Sequence, residues 1–446
     1  MSRRQRAPQQ TVHPHELERE RAGGSEDQRA LMVGALPDGD DLGELAELLR
    51  TADVDVVGQI VQRRDDPHPN TYVGEGKLDE IKALAHELDA TIVVTDDELS
   101  PRQERNLESR LGLPVLDRTA LILDIFATHA HSAEGKLQVE LAQLQYNLAR
   151  MRGLWSHLDR LGVGGVGTRG PGETQIETDR RLARDRITKL RRRLDAVKGN
   201  RATMRSERDR SRHVPNIAIA GYTNAGKSTL LNAMTGAEVG VRNRLFHTLD
   251  PTTRTLRWHG RNYLLTDTVG FIGKLPHHLV DAFGATLEET VLADLVLHVV
   301  DASQDDARLR EVMDAVDDVL DELNEDRRPA DRARRVIVLN KADRLDATRR
   351  SELEARFPDA VLVSAARRVG LDDLGARIEA EFEALLRPVE LLVPYADGQV
   401  LAELHRIAGD LEQEHRGDGV LVRARLPRTI AGRYDAYRLE PVGPRA

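Results

Sequence analysis

The chain has 446 residues, room for roughly three or four domains, with 40% apolar, 31% charged and 3% aromatic residues and a formal net charge of −9. It holds no cysteine, which excludes a disulfide scaffold and a thiolate metal site. No apolar run nears the ~20 residues that cross a bilayer, and Met1–Pro8 lacks the apolar core of a secretion signal; the expectation is a soluble, cytoplasmic protein.

Residues 1–30 are polar and aperiodic and read as a disordered tail. Residues 31–134 alternate short apolar runs with helical stretches, the pattern of a small α/β domain. Strands are expected at Val54–Val61 and Ala90–Val94, and helices at Leu42–Thr51 and Gly76–Leu88. The loop Tyr72–Lys77 has a weak likeness to a phosphate loop and reads as a turn and helix start.

Residues 135–212 differ in kind. Leu137, Leu141, Leu144, Leu148, Met151, Trp155 and Leu158 follow alternating steps of four and three, and Ala183, Ile187, Leu190, Leu194 and Val197 repeat the spacing. These are the apolar seams of two long helices. The Gly-rich run Gly162–Gly172 lies between them and reads as non-helical. The expectation is an antiparallel helical hairpin with a Gly-rich tip carrying Arg169. From Gly172 to Arg212 there are 14 Lys and Arg against 7 Asp and Glu, a basic segment on an acidic chain. A solvated face explains it, and so does RNA contact through Arg191, Arg192 and Arg193 beside the tip.

Residues 213–387 alternate strands and helices again. Apolar, β-branched runs at Asn262–Thr266, Asp294–Val300, Arg335–Leu339 and Ala360–Val363 predict a mostly parallel, doubly wound sheet. Residues 388–446 read strand–helix–strand–strand, a small C-terminal α/β module.

The chemistry concentrates in 213–387. Gly221-Tyr222-Thr223-Asn224-Ala225-Gly226-Lys227-Ser228 follows the apolar run Ile217–Ala220, so a glycine-turned loop links a buried strand to a helix. Its backbone N–H groups can surround one phosphate chain. Lys227 supplies positive charge near the β- and γ-phosphates, and Ser228 a hydroxyl for Mg²⁺. Asp267-Thr268-Val269-Gly270 ends the next strand; Asp267 can hold Mg²⁺ through water and the Gly270 N–H can face the γ-phosphate. Asn340-Lys341-Ala342-Asp343 also ends a strand. The Asp343 carboxylate can accept from guanine N1–H and N2–H₂, a pair that adenine lacks, while Lys341 lies along the base. Ser364-Ala365-Ala366 can offer a backbone N–H to guanine O6. Phe246-His247-Thr248-Leu249-Asp250 lies between the first two motifs and reads as a switch segment supplying a second Mg²⁺ hydroxyl.

Five motifs in this order resemble the GTPase branch of phosphate-loop NTPases over roughly residues 214–386. Within that branch Thr252 and Thr253 rival Thr248 as the switch hydroxyl; Thr248 is preferred because Thr252-Thr253-Arg254 reads as the start of a strand. Four segments narrow the resemblance to the HflX family of ribosome-associated GTPases: 221–228, Phe246–Arg254, Asp267–Ile272 and Arg169-Gly-Pro-Gly-Glu-Thr-Gln175. The chain departs from it in the polar tail before Leu31 and in the imidazole of His247.

This resemblance implies a protein that binds the large (50S) ribosomal subunit and its rRNA, splits stalled or idle 70S ribosomes, and leaves on GTP hydrolysis. GTP or GDP and Mg²⁺ would be its ligands, and neither a membrane nor DNA its partner; a monomer partly associated with ribosomes is expected. Rival readings are a GTPase of ribosome assembly, an RNA-binding protein with a vestigial nucleotide site, and a membrane signalling GTPase, the last disfavoured by the lack of a lipidation motif. Phe271 stands where many GTPases place the Gln that orients the attacking water. Low intrinsic turnover, raised by the ribosome, is therefore expected. The pairs His129/His131 and His277/His278 lack a third ligand at useful spacing and read as solvated histidines.

Overall fold

The computed structural model describes residues 28–37, 42–158, 171–211, 214–237, 245–246, 251–259, 261–274, 287, 289–325, 328, 332–384, 386–408, 411–427 and 431–439. The chain divides into two units, one of Met1–Leu194, Asn243–His247 and Lys274–Phe283, the other of Asp195–Arg242, Thr248–Gly273 and Gly284–Ala446.

The first unit begins β1 (Arg29–Leu36), α1 (Gly43–Thr51), β2 (Asp55–Arg63), α2 (Glu75–Glu87), β3 (Ile92–Thr95), α3 (Pro101–Leu111), β4 (Val115–Asp117), α4 (Arg118–His129). Its four strands form a parallel sheet in the order β2-β1-β3-β4. The central strands β1 and β3 are buried along nearly their whole length, as expected of strands covered on both faces. Local signals set the helix ends. In α3, Ser100 and Gln103 form a capping box around Pro101, and Gly112 closes the helix at φ +74°. The Tyr72–Lys77 loop is a turn leading into α2, whose first residue is Glu75.

Two long helices follow, α5 (Ala133–Leu158) and α6 (Pro171–Ser211). Their four–three spacing becomes packing: Leu141, Ile187, Leu190 and Leu194 are buried together, with Leu137, Leu144 and Leu148 against them. Arg186 pairs with Glu140 at 2.6 Å. One expectation needs correcting, because Pro171 and Gly172 open α6 instead of ending a non-helical run. The first helical turn has no partner for its N–H groups, so proline costs little there. The rest of the Gly-rich tip, with Arg169, lies outside the described residues, as do the tail before residue 28 and the side chains of Met151, Trp155 and Leu158.

The second unit contains β5 (Asn216–Gly221), α7 (Lys227–Thr235), β6 (Thr252–Trp258), β7 (Arg261–Asp267), β8 (Leu295–Asp301), α8 (Asp306–Leu323), β9 (Arg334–Asn340), α9 (Ala347–Arg356), β10 (Val361–Leu362) and α10 (Leu371–Glu383). The sheet order is β10-β9-β8-β5-β7-β6, with every pair parallel except β6 and β7. Ile217–Ala220 are fully buried and β8 is buried up to its last residue, so the carboxyl ends of β5, β8 and β9 are fixed by a rigid core. Then come β11 (Leu386–Val393), α11 (Gly398–Ala408), β12 (Leu411–Arg416) and β13 (Gly419–Pro427), with an antiparallel sheet ordered β11-β13-β12. No described helix is long and apolar enough to cross a membrane.

Candidate nucleotide site

The site is built at the carboxyl ends of parallel strands, where open α/β sheets place their ligands. From β5 the chain turns through residues 222–226 into α7, whose first residue is Lys227. Gly226 holds φ +95°, and a Cβ there would stand 2.3 Å from the Asn340 amide nitrogen. Only glycine meets both demands. Lys227 is buried, and its Nζ donates to Gly221 O at 3.0 Å and Tyr222 O at 2.9 Å. Burial lowers its pKa to about 8, against a smaller opposing pull from Asp267.

Ser228 Oγ donates to Asp267 Oδ2 at 2.5 Å, so this hydroxyl and this carboxylate meet below the loop. Thr268 donates to Ile219 O through its backbone N–H at 3.3 Å and its hydroxyl at 2.9 Å. Beyond Val269, which is buried, the Asp-x-x-Gly segment is tied to the phosphate loop. Phe271 N donates to Gly221 O at 3.1 Å, and Thr223 N donates to Phe271 O at 2.7 Å. Gly270 packs so closely that a Cβ would reach Lys227 Nζ at 3.0 Å. Phe271 is buried, so its ring is a packing group and offers no hydrogen bond to water.

A third strand end joins these two. Asn340 donates from Nδ2 to Ala225 O at 2.8 Å and accepts at Oδ1 from Ala365 N at 3.0 Å. One side chain thereby links the phosphate loop to the 364–366 loop. The Ala365 N–H is committed to this bond and not to a base. Asp343 Oδ1 accepts from Ser364 Oγ at 2.6 Å, and that hydrogen bond holds the carboxyl below its usual pKa. Asn224 and Lys341 adopt left-handed backbone at φ +60° and +64°. Asn340→Ala would strand a buried carbonyl and a buried N–H at once, at about 1–3 kcal/mol each. The expected result is a lower midpoint of thermal unfolding together with weaker GDP binding, both measurable in one calorimeter. Loss of stability with full GDP affinity would make Asn340 a framework residue only.

The structure brings Gly221–Ser228, Asp267–Gly270, Asn340, Lys341, Asp343 and Ser364–Ala366 together in the second unit. Phe246 belongs to the first unit, buried edge-on against Phe126 at 4.6 Å, beside Leu245, whose N–H donates to Thr51 Oγ1. His247, Thr248, Leu249 and Asp250 lie outside the described residues. Thr252 and Thr253 open β6, and Thr253 Oγ1 is 2.9 Å from Thr266 Oγ1. Arg191, Arg192 and Arg193 are exposed on α6.

Tyr222 of the phosphate loop accepts a hydrogen bond from Gly273 N and lies under the Arg308 guanidinium at 5.3 Å. One residue escaped the sequence reading. Asp301 ends β8 beside Lys341; its position at a strand end, like that of Asp267, was the available signal. Ser228 and Asp267 are hard oxygen donors of the kind Mg²⁺ takes, so the residues fit that ion. Among the described residues no group of three or more His, Asp or Glu side chains could hold a metal by itself.

Residues 39–127 match the family described as GTP-binding GTPase N-terminal, residues 129–208 the GTP-binding GTPase middle region, and residues 216–341 the 50S ribosome-binding GTPase family. The chain is 45% identical over 422 residues to GTPase HflX of Lacrimispora saccharolytica, covering 92% of this chain and 97% of that one. To GTPase HflX of Escherichia coli strain K12 it is 42% identical over 394 residues, covering 87% and 90%. A solved structure of a GTP-binding protein from Sulfolobus solfataricus in complex with GDP aligns at 26% identity and TM-score 0.43, over 80% of this chain and 98% of that one.

Proposed function

The chain belongs to the HflX family of GTPases, and on that premise we propose that it docks in its GTP state on the large ribosomal subunit, dissociates stalled or idle 70S ribosomes, and is released by hydrolysis. The observation that carries the nucleotide part is the Asn340 side chain, which makes the phosphate loop and the base-side loop one framework. In this reading, loop N–H groups and Lys227 hold the phosphates, the Gly270 N–H faces the γ-phosphate, and Asp343 reads guanine. Ser228 and, through water, Asp267 would hold Mg²⁺ together with Thr248, and the ion would supply positive charge against the phosphates.

Phe271 supports a slow intrinsic reaction. A buried ring cannot orient water, so the missing polar group comes from the partner, and 50S subunits raise the rate. For the ribosome, the support is the match to the 50S ribosome-binding GTPase family. The exposed Arg191, Arg192 and Arg193 on α6 suit phosphate contact, and Arg169 stands in the adjoining Gly-rich segment.

The test is sedimentation of purified 70S ribosomes with the protein and a non-hydrolysable GTP analogue. Conversion of 70S into free 30S and 50S particles, absent with GDP, is the expected result. Intact 70S particles with the protein bound, or accumulation on 50S assembly intermediates alone, would overturn the splitting role.

A further inference from the structure

We infer that Asp301 is a positioning residue of the nucleotide site, acting through Lys341 to set the side chain that lies along the guanine ring before any nucleotide arrives. The inference rests on the nucleotide reading above and extends it to a residue that none of the five motifs contains.

The geometry begins in the sheet. Asp301 is the last residue of β8 and stands in register with Asn340, the last residue of β9. Ala302 N donates to Asn340 O at 2.9 Å, so this pairing persists one residue past the strand end. Lys341 follows directly, in left-handed backbone at φ +64°. A lysine holds that conformation only where its surroundings fix it. Here Ala342 N donates to Val363 O at 3.0 Å and Arg344 N to Lys341 O at 2.9 Å.

The side chain is fixed as firmly as the backbone. Lys341 Nζ donates to Asp301 Oδ2 at 2.7 Å, and both side chains are largely buried, at 17% and 12% exposure. The carboxylate is itself held: Oδ1 accepts from Ser303 N at 3.0 Å and Ser303 Oγ at 2.6 Å. Burial alone would raise the Asp301 pKa, but the hydrogen bonds from Lys341 and Ser303 outweigh it and keep the group ionised. The ammonium is therefore tethered at its tip and the backbone at its root. The four-carbon stem between them, which would otherwise sample many rotamers, has few left.

A preorganised stem lowers the ordering cost of binding. Because Asp301 acts through Lys341 and not on the base edge, it strengthens guanosine and inosine nucleotides alike. It also strengthens GDP and GTP alike, since it lies at the base end of the site. These marks separate it from Asp343, which reads the base edge, and from Lys227, which reads phosphate.

The test is a double-mutant cycle on the full chain, read by dissociation constants for a fluorescent N-methylanthraniloyl GDP and by competition with unlabelled GDP, GTP and IDP. Asp301→Asn is expected to weaken all of these about tenfold, with the loss in the dissociation rate. Lys341→Met is expected to lose at least as much, and the double variant to bind no worse than Lys341→Met alone. Ser303→Ala, a milder change that frees one side of the carboxylate, should weaken binding two- to threefold and carries the same cycle with Lys341→Met if Asp301→Asn does not fold. Losses that multiply in the double variant, or a lower unfolding temperature with unchanged affinity, overturn the inference. A wild-type chain that binds no GDP would instead sink the nucleotide reading beneath it.

Discussion

Asp343→Asn should weaken GTP and GDP binding by about 2–4 kcal/mol, the range for losing charged hydrogen bonds and leaving partners unpaired, and should improve binding of xanthosine nucleotides. The carboxylate is placed for a base edge: Oδ1 is anchored by Ser364 Oγ at 2.6 Å, and the side chain is 21% exposed. An asparagine keeps that anchor, because its carbonyl oxygen accepts from Ser364 as well. What changes is the other atom, from an acceptor for guanine N2–H₂ to a donor. Guanine then faces donor against donor, whereas xanthine offers a carbonyl at that position. Specificity thus turns on a single atom exchange inside an unaltered frame. Competition of GDP and XDP against a fluorescent guanine nucleotide measures both halves. A variant with wild-type GDP affinity would remove Asp343 from the site, and loss of GDP without a gain for XDP would mean that the exchange disturbs the loop.

Most of the nucleotide site was legible because its chemistry demands particular residues at particular strand ends. A phosphate loop needs Gly226 where Asn340 approaches, and such needs leave marks in sequence. The sheet of the first unit was less legible. The strand β1 (Arg29–Leu36) adjoins a polar tail and was not singled out, although it is central in the order β2-β1-β3-β4. Its place follows from pairing with β2 and β3, which periodicity does not encode. Asp301 was missed for a related reason. Alone it is one acidic residue among 74 Asp and Glu, and only the β8–β9 register sets it against Lys341. Pro171 and Gly172 misled because composition argues against helix, while position in the first turn removes the objection.

Arg150→Met should destabilise the first unit by about 3–5 kcal/mol, as expected when one partner of a buried ion cluster is removed. Arg150 on α5 reaches Asp117 Oδ2 at 2.7 Å, Glu104 Oε2 at 2.9 Å and Leu99 O at 2.7 Å, and its guanidinium lies 3.4 Å from the Tyr146 ring centroid. Asp117 caps α4 by accepting from Ala120 N and also accepts from Leu99 N. One cation therefore neutralises two carboxylates from separate elements of the α/β domain and ties both to the long helix. Methionine matches much of the volume, so the loss reports charge and hydrogen bonding more than a cavity. Even with Arg150 present, burial pushes the Glu104 pKa up to about 7, against the opposing pull of Arg150. A carboxyl whose folded pKa lies above its unfolded value of 4.5 binds its proton more tightly in the folded state. Its contribution to stability therefore grows as pH falls from about 7 towards 4.5 and is lost as pH rises through 7, with a slope of up to about 1.4 kcal/mol per unit. Urea unfolding of the wild type between pH 5 and 8 should show this slope, and Glu104→Gln should remove it. Arg150→Met should extend it to higher pH, because an unneutralised Glu104 protonates more readily still. A cost below about 1 kcal/mol for Arg150→Met, together with a wild-type pH profile, would mean that solvent reaches the cluster and that the helix is held to the α/β domain by its apolar contacts alone.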